Sequence, residues 1–224
     1  MQRLRVSREV RQKIDGLVSS LRRDPVYHLL SGNSSLAKAQ LESLIIDMLA
    51  TGEAPYADLI ERSLYNAFLS GVSLDGQRYF YFNPLMSRGS IERREWFPVA
   101  CCPPNLMRQI AMIGHYVATV DEMGLQIHQY ASARIEAELE TGRRMVLRVE
   151  TDYPWDGWVK LIVEETDGAA WRLALRVPGW CERGSLRING QTAGVPAIGG
   201  TYATVERAWQ RGEVIELDLP IVLR

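Results

Sequence analysis

The apolar positions of this 224-residue chain change their spacing near its middle. Upstream they recur every three or four residues. Val10, Ile14, Leu17 and Leu21 form one stripe and predict a helix over 7–21; Leu41, Leu44, Ile45 and Met48 predict another over 36–49. Ser31 to Ser35 reads as a loop or cap ahead of it. A third helix runs from Tyr56 to about Ser70, with Leu59, Ile60, Leu64 and Phe68 inward, and Thr51-Gly52-Glu53 separates it from the second. Two helices on so short a link make an αα-hairpin. Asp75-Gly76 then predicts a turn, and Tyr79-Phe-Tyr-Phe82 a short aromatic strand ended by Asn83-Pro84. The polar stretch from Arg88 to Glu95 is a loop. Leu106, Ile110, Ile113 and Val117 carry a further helix over 103–123, stopped by Gly124.

Beyond Gly124 the period falls to 2. Ala133 to Glu140 alternates strictly, and 145–150, 159–163, 172–177, 186–188 and 214–219 are further strand candidates. Turn signals lie between them at Asp156-Gly157, Asp167-Gly168, Asn189-Gly190 and Gly199-Gly200. Short strands at this spacing predict an antiparallel β-sandwich. The chain is therefore expected to be α+β and to divide into a helical part, 1–124, and a sandwich, 125–224.

The segment that bears chemistry is Trp96-Phe-Pro-Val-Ala-Cys-Cys-Pro-Pro-Asn-Leu-Met-Arg108. Proline suits a first helical turn, where the amide it lacks would have no partner. Cys101 and Cys102 should stand just outside a helix N-terminus, where free amides favour thiolate over thiol. Arg108, folding back, would add to that effect. A thiolate can attack carbon or bind a metal. An inert buried pair or a vicinal disulfide is the competing reading of the two cysteines alone. Cys181, in the β-half, is assigned no role. His28, His115 and His128 are read as structural or solvated, His115 lying about four turns beyond the cysteines, too far to share a ligand set with them.

Composition narrows the choices little. Apolar residues make up 46% and charged residues 24%, and the net charge is −1, which gives no reason to expect nucleic acid or an anionic membrane as partner. The arginines near the N-terminus come without an aromatic platform and read as a solvated helix face. Three cysteines, two of them adjacent, make no disulfide framework. With no apolar run of about 18 residues and no apolar core behind the first arginines, a cytoplasmic location is expected.

Several motifs in order resemble the β-L-arabinofuranosidases of glycoside hydrolase family 127. They are Trp96 to Arg108, Tyr56 to Gly76, Tyr79 to Leu85, Thr151-Asp-Tyr-Pro-Trp-Asp-Gly157 and Leu175-Arg-Val-Pro-Gly-Trp180. The likeness runs from about Ala50 to Arg224, and nothing in 1–32 shares it. It implies that the helical hairpins belong to an incomplete (α/α)6 barrel. It also implies retaining hydrolysis of terminal β-L-arabinofuranosides, with Cys101 attacking the anomeric carbon. The resemblance further implies zinc held by three cysteines and a glutamate, of which Cys101 and Cys102 match two. The Glu-x-Cys pair that completes the shell is implied near Ser34 and Leu36, and a shift of several residues does not supply it, since residues 1–100 hold no cysteine. Glu42 is the nearest carboxylate. The general acid belongs further upstream, where Val18 to Arg22 offers no match. An internal fragment or degenerate relative with impaired activity is therefore expected, its uncovered apolar helix faces favouring self-association.

Two other classes stay open. A non-catalytic carbohydrate-binding or interaction module would use the sandwich and the aromatic stretch 79–82. A cysteine-based redox protein is the weaker one, since redox motifs usually separate their cysteines.

Overall fold

The computed structural model describes residues 34–84, 86–99, 102–139 and 141–222. The helix expected over 7–21, and His28, lie outside them. The described chain forms two compact units: 34–52 with 59–114, and 53–58 with 115–224.

In the first unit, helix α1 spans Ser34–Thr51 and so takes in two residues of the expected loop. Gly52 ends it at φ 68°, a left-handed conformation that only glycine adopts without steric cost, and returns its N–H to the Met48 carbonyl at 2.8 Å. Helix α2 follows at Ala54–Ser63 and loosens into a π turn, Leu64–Phe68, and a 3₁₀ turn, Leu69–Gly71. Helix α3 is Cys102–Met112, continued by a 3₁₀ turn at Ile113–Tyr116. The expected stripe of α1 is inside: Leu41, Leu44, Ile45 and Met48 are all buried, as are Ile60, Leu64 and Phe68.

Two expectations in this region fail. The stretch 79–82 is no strand: Tyr79 makes single bridges to Val72 and Arg94, and the next amide, on Phe80, goes to the Gly71 carbonyl at 2.9 Å. Asn83 then turns its side chain to the Ala67 carbonyl at 2.6 Å, and Pro84 has no amide to extend a ladder. The helix expected over 103–123 stops early. Strand β1, Ala118–Asp121, already occupies its last turn and pairs with β2, Gly124–Ile127. Val117, the last member of the expected stripe, lies just before the strand instead of inside a helix. Asp121 settles the matter locally by accepting the amides of Met123 and Gly124, which closes a tight hairpin.

The second unit is the sandwich. Its further strands are β3 Ala133–Glu138, β4 Arg144–Thr151, β5 Trp158–Glu165, β6 Ala170–Val177, β7 Ser185–Ile188, β8 Gln191–Thr192, β9 Thr201–Ala208 and β10 Val214–Asp218. One sheet runs β1-β2-β6-β9 and the other β3-β4-β5-β10-β7-β8. Pairing is antiparallel except for β2 with β6, which is parallel and corrects the purely antiparallel expectation. The chain between those two strands crosses to build β3, β4 and β5 in the opposite sheet, and such a crossover permits parallel pairing. No amino acid but glycine fits at 124, because a Cβ there would lie 1.9 Å from the Arg172 carbonyl.

The alternation places Val159, Leu161 and Val163 of β5 in the core. Trp171 and Trp209 meet there at 5.5 Å, and Trp209 donates its ring N–H to the Trp171 carbonyl at 3.0 Å. The other face of β3, β4 and β5 carries exposed ion pairs such as Arg134–Glu164 and Lys160–Glu150. Among the described residues no helix is long and apolar enough to cross a membrane.

A largely buried polar network runs through this unit. The fully buried Arg176 guanidinium donates Nη1 to Asp58 Oδ1 and Nε to the His128 carbonyl, each at 2.5 Å. Asp58 Oδ2 accepts the Gly179 amide at 2.9 Å. The buried His128 ring is held between Thr119 Oγ1 at 2.8 Å and the Tyr202 hydroxyl at 2.6 Å. Burial lowers the His128 pKa to about 3, with the Arg176 charge adding to the effect, and burial pushes the Tyr202 hydroxyl up. Gln129 donates to the Ala57 carbonyl at 2.9 Å, so the first turn of α2 is tied to the sandwich by two side chains.

Candidate functional site

Helix α3 opens at Cys102, with Pro103 and Pro104 in its first turn, as their missing amides allow. Cys101 lies outside the described residues, so its placement comes only from being the residue before that helix. Arg108 does not fold back: its Nη1 donates to Asn105 Oδ1 at 2.9 Å, one turn along the same helix. The expected apolar stripe of α3 is only partly inside. Leu106 is buried, whereas Ile110 is exposed and Ile113 and Val117 are half-buried.

Upstream of the cysteines the chain folds back on its own aromatic stretch. Phe97 meets Tyr81 at 5.4 Å, and Tyr81 meets Phe82 at 5.1 Å, both edge to face. Arg93 lies over the Phe80 ring at 4.4 Å and donates to the Ser70 carbonyl at 2.6 Å. The motif around Trp96 and the stretch 79–82, distant in sequence, thus make one aromatic cluster four residues ahead of Cys101.

Helix α1 packs against α3 through the carboxylate of Glu42, which accepts Gln109 Nε2 at 3.3 Å. Gln109 stands seven residues past Cys102, about 10 Å along the helix. Asp47 was missed by the sequence reading. It is 3% exposed on the stripe between Leu44 and Met48, and burial raises its carboxyl pKa. An acidic residue at an inward position of an apolar stripe is the signal that could have found it. Such a carboxyl holds its proton to a higher pH than an exposed one.

The zinc shell implied by the motif can be tested against these positions. Cys181, the third cysteine of the chain, is wholly buried in the sandwich core, and burial raises its thiol pKa. Ser34 and Leu36 occupy the first turn of α1. Both ring nitrogens of His128 are engaged, and His115 is exposed on the 3₁₀ turn after α3. Among the described residues no three His, Cys, Asp or Glu side chains converge as a metal site. A three-thiolate, one-carboxylate shell does not fit this chain.

Comparison with known proteins gives a consistent result. The profile described as β-L-arabinofuranosidase, GH127 catalytic domain, matches residues 41–115, and the corresponding middle-domain profile matches residues 124–221. The non-reducing end β-L-arabinofuranosidase of Bifidobacterium longum subsp. longum is 32% identical over 206 residues, covering 84% of this chain and 30% of that protein. The solved structure of Ara127N-Se, described as a GH127 β-L-arabinofuranosidase from Geobacillus stearothermophilus T6, superposes with a TM-score of 0.76 at 36% identity, over 84% of this chain and 31% of its own. A structure described as a glycoside hydrolase superposes with a TM-score of 0.79 at 34% identity, over 84% and 32%. The chain thus spans about 30% of the length of the curated relative that it matches.

Proposed function

We propose, because this chain belongs to glycoside hydrolase family 127, that it carries the nucleophile of a retaining β-L-arabinofuranosidase, with Cys101 in that role. The observation that supports the reading is the position of Cys101 directly ahead of α3, inside the segment matched by the family's catalytic-domain profile. In this reading α1, α2 and the turns after it are hairpin elements of an (α/α)6 ring, and residues 125–224 are the domain that follows it. The Cys101 thiolate attacks the anomeric carbon. The glycosidic oxygen leaves with the aglycone, and water then displaces the sulfur to release arabinose.

The sequence places no glutamate where the general acid is implied. The proposed chemistry therefore depends on how well the departing oxygen carries negative charge. General acid catalysis contributes a factor of about 10² to 10⁴, so an alkyl β-L-arabinofuranoside should react slower than its 4-nitrophenyl counterpart by that order. Release of 4-nitrophenol from the aryl substrate is expected to be slow and to disappear in Cys101→Ser. Turnover unchanged in that variant would show that Cys101 is not the nucleophile. Equal rates on the two substrates would show that departure of the aglycone oxygen does not limit turnover.

The carbohydrate-module reading predicts instead that arabinofuranoside binding survives in Cys101→Ser with no turnover in either protein. Self-association belongs to the proposal too. Ile46, Leu69, Leu74, Met107, Ile110 and Met112 are all exposed on the helical unit. The weight-average mass in sedimentation should rise with concentration and fall when Met107 and Ile110 are changed together to glutamine. A monomer at every concentration would remove that part.

A further inference from the structure

We infer that this chain carries Cys101 and Cys102 as a metal-free dithiol and does not assemble the zinc centre that its family resemblance implies. The inference rests on the reading of residues 96–108 as the family's nucleophile segment, and it concerns a metal, so sugar chemistry does not decide it.

Four observations converge. The whole sequence holds three cysteines, and two of them are neighbours. Cys181 lies in the sandwich core at 0% exposure, with its amide donated to the Pro178 carbonyl at 2.9 Å. A thiol sealed among apolar side chains, with burial opposing its ionisation, is a poor ligand. Near the positions where the resemblance implies a carboxylate and a thiolate, serine and leucine stand in the first turn of α1, and no cysteine occurs anywhere in residues 1–100. Glu42, two turns into that helix, accepts a hydrogen bond from Gln109 and could at most supply the carboxylate, leaving the third thiolate missing. The histidines offer no substitute: His128 is saturated on both ring nitrogens, His115 is exposed beyond the end of α3, and His28 lies in the segment with no resemblance to the family.

Two thiolates leave half of a tetrahedral shell to water. The tight binding typical of structural zinc depends on a complete protein shell. The pair is then a vicinal dithiol whose reaction with alkylating reagents should not depend on added zinc.

The test uses the purified chain, zinc chloride and a chromophoric chelator. This chain should give up its zinc to a chelator of micromolar affinity. Iodoacetamide should label Cys101 and Cys102 at the same rate with and without a small excess of zinc. The double variant Ser34→Glu, Leu36→Cys supplies the two missing ligands and should tighten zinc binding by about 100-fold or more, slowing alkylation of both cysteines when zinc is present. Cys101→Ser in that background should reverse the gain.

One zinc per chain, retained against the chelator and protecting both thiols in the unaltered protein, would overturn the inference. So would a double variant that folds, by circular dichroism and a cooperative melt, yet gains no affinity. If the double variant does not fold, the chelator and alkylation results on the unaltered chain decide alone. Weak zinc binding with Cys101-dependent turnover would leave the glycosidase reading standing. Tight zinc with no Cys101-dependent turnover would end that reading and this inference together.

Discussion

Replacing Asp58 with alanine is expected to lower the stability of the sandwich unit by about 2–4 kcal/mol, read as a fall in the urea midpoint at unchanged slope. The magnitude follows from what the substitution leaves behind. Arg176 is 0% exposed, and its guanidinium is met by the Asp58 carboxylate. Breaking a buried pair by removing one partner costs about 3–5 kcal/mol, because the remaining buried charge loses its counter-charge. Asp58 is 27% exposed, which lets some water reach the site and places the expected loss at the lower end. The Gly179 amide loses its acceptor as well.

Arg176→Met is the informative contrast. It replaces the buried guanidinium with an unbranched apolar side chain and leaves a carboxylate that solvent can partly reach, so it should cost less than Asp58→Ala. Asp58→Asn, which can still accept the Gly179 amide, should fall between them. An Asp58→Ala variant within about 0.5 kcal/mol of the parent, the usual range for surface substitutions, would show that the network is incidental to stability.

Asp58 and Arg176 also show where sequence reading stops. Both sit in motifs that are plain in the sequence, Tyr56-Ala-Asp58 and Leu175-Arg-Val177, yet 118 residues separate them. Periodicity reports which face of an element is apolar. It does not report which polar residue on one element will meet another, because that depends on crossovers such as the parallel pairing of β2 with β6.

The elements that were legible are those with one strong period. The α1 stripe and the buried alternation of β5 are of this kind. Strand β9 was not. Thr201–Ala208 alternates weakly, only Ala203 of its side chains is fully buried, and it is held mainly by an eight-residue ladder to β6. Residues 79–82 misled in the other direction. Four aromatics in a row have high strand propensity, but a strand also needs pairing that continues, and here the bridges of Tyr79 to Val72 and Arg94 are not extended beyond single residues.

At the candidate site, the helix start at Cys102 was readable from Pro103-Pro104. Asp47 carries no periodic signal of its own, because one acidic residue inside the α1 stripe leaves the apolar period unchanged. The cluster of Phe97 with Tyr81 depends on the irregular path of residues 72–99, which carries no periodic signal at all.

Acid should weaken the sandwich well before its carboxylates begin to protonate, and His128 is the reason. Its pKa is 6.5 when unfolded and about 3 in the folded protein. Between those values the unfolded chain binds a proton that the folded chain excludes, so stability rises with pH through the window and falls on acidification. The stabilising effect is fully present above pH 6.5 and is lost progressively down to about 3, below which both states are protonated. The slope contributed by this one group approaches about 1.4 kcal/mol per pH unit in the middle of the window.

The groups around the ring cannot cancel this. Thr119 is neutral, Tyr202 has its pKa raised, and the charge nearest the ring is the Arg176 guanidinium, which repels an imidazolium. The carboxylates Glu136, Glu164 and Asp167 have pKa values lowered by their arginine partners and therefore add acid sensitivity only below their ordinary values of 4.5, 4.5 and 3.8. Asp47 of the helical unit, its pKa raised by burial, acts in the opposite sense, so the histidine is isolated by comparing the protein with a His128 variant from pH 6.5 to about 5. Urea midpoints measured across that interval should fall steadily as pH is lowered. His128→Gln should start from a lower stability, since one of the two hydrogen bonds of the ring is lost, but its midpoint should stay nearly level over the same interval. Equal slopes in the two proteins would show that His128 is already charged in the folded state, and that the Thr119–His128–Tyr202 chain of hydrogen bonds is drawn with the wrong proton count.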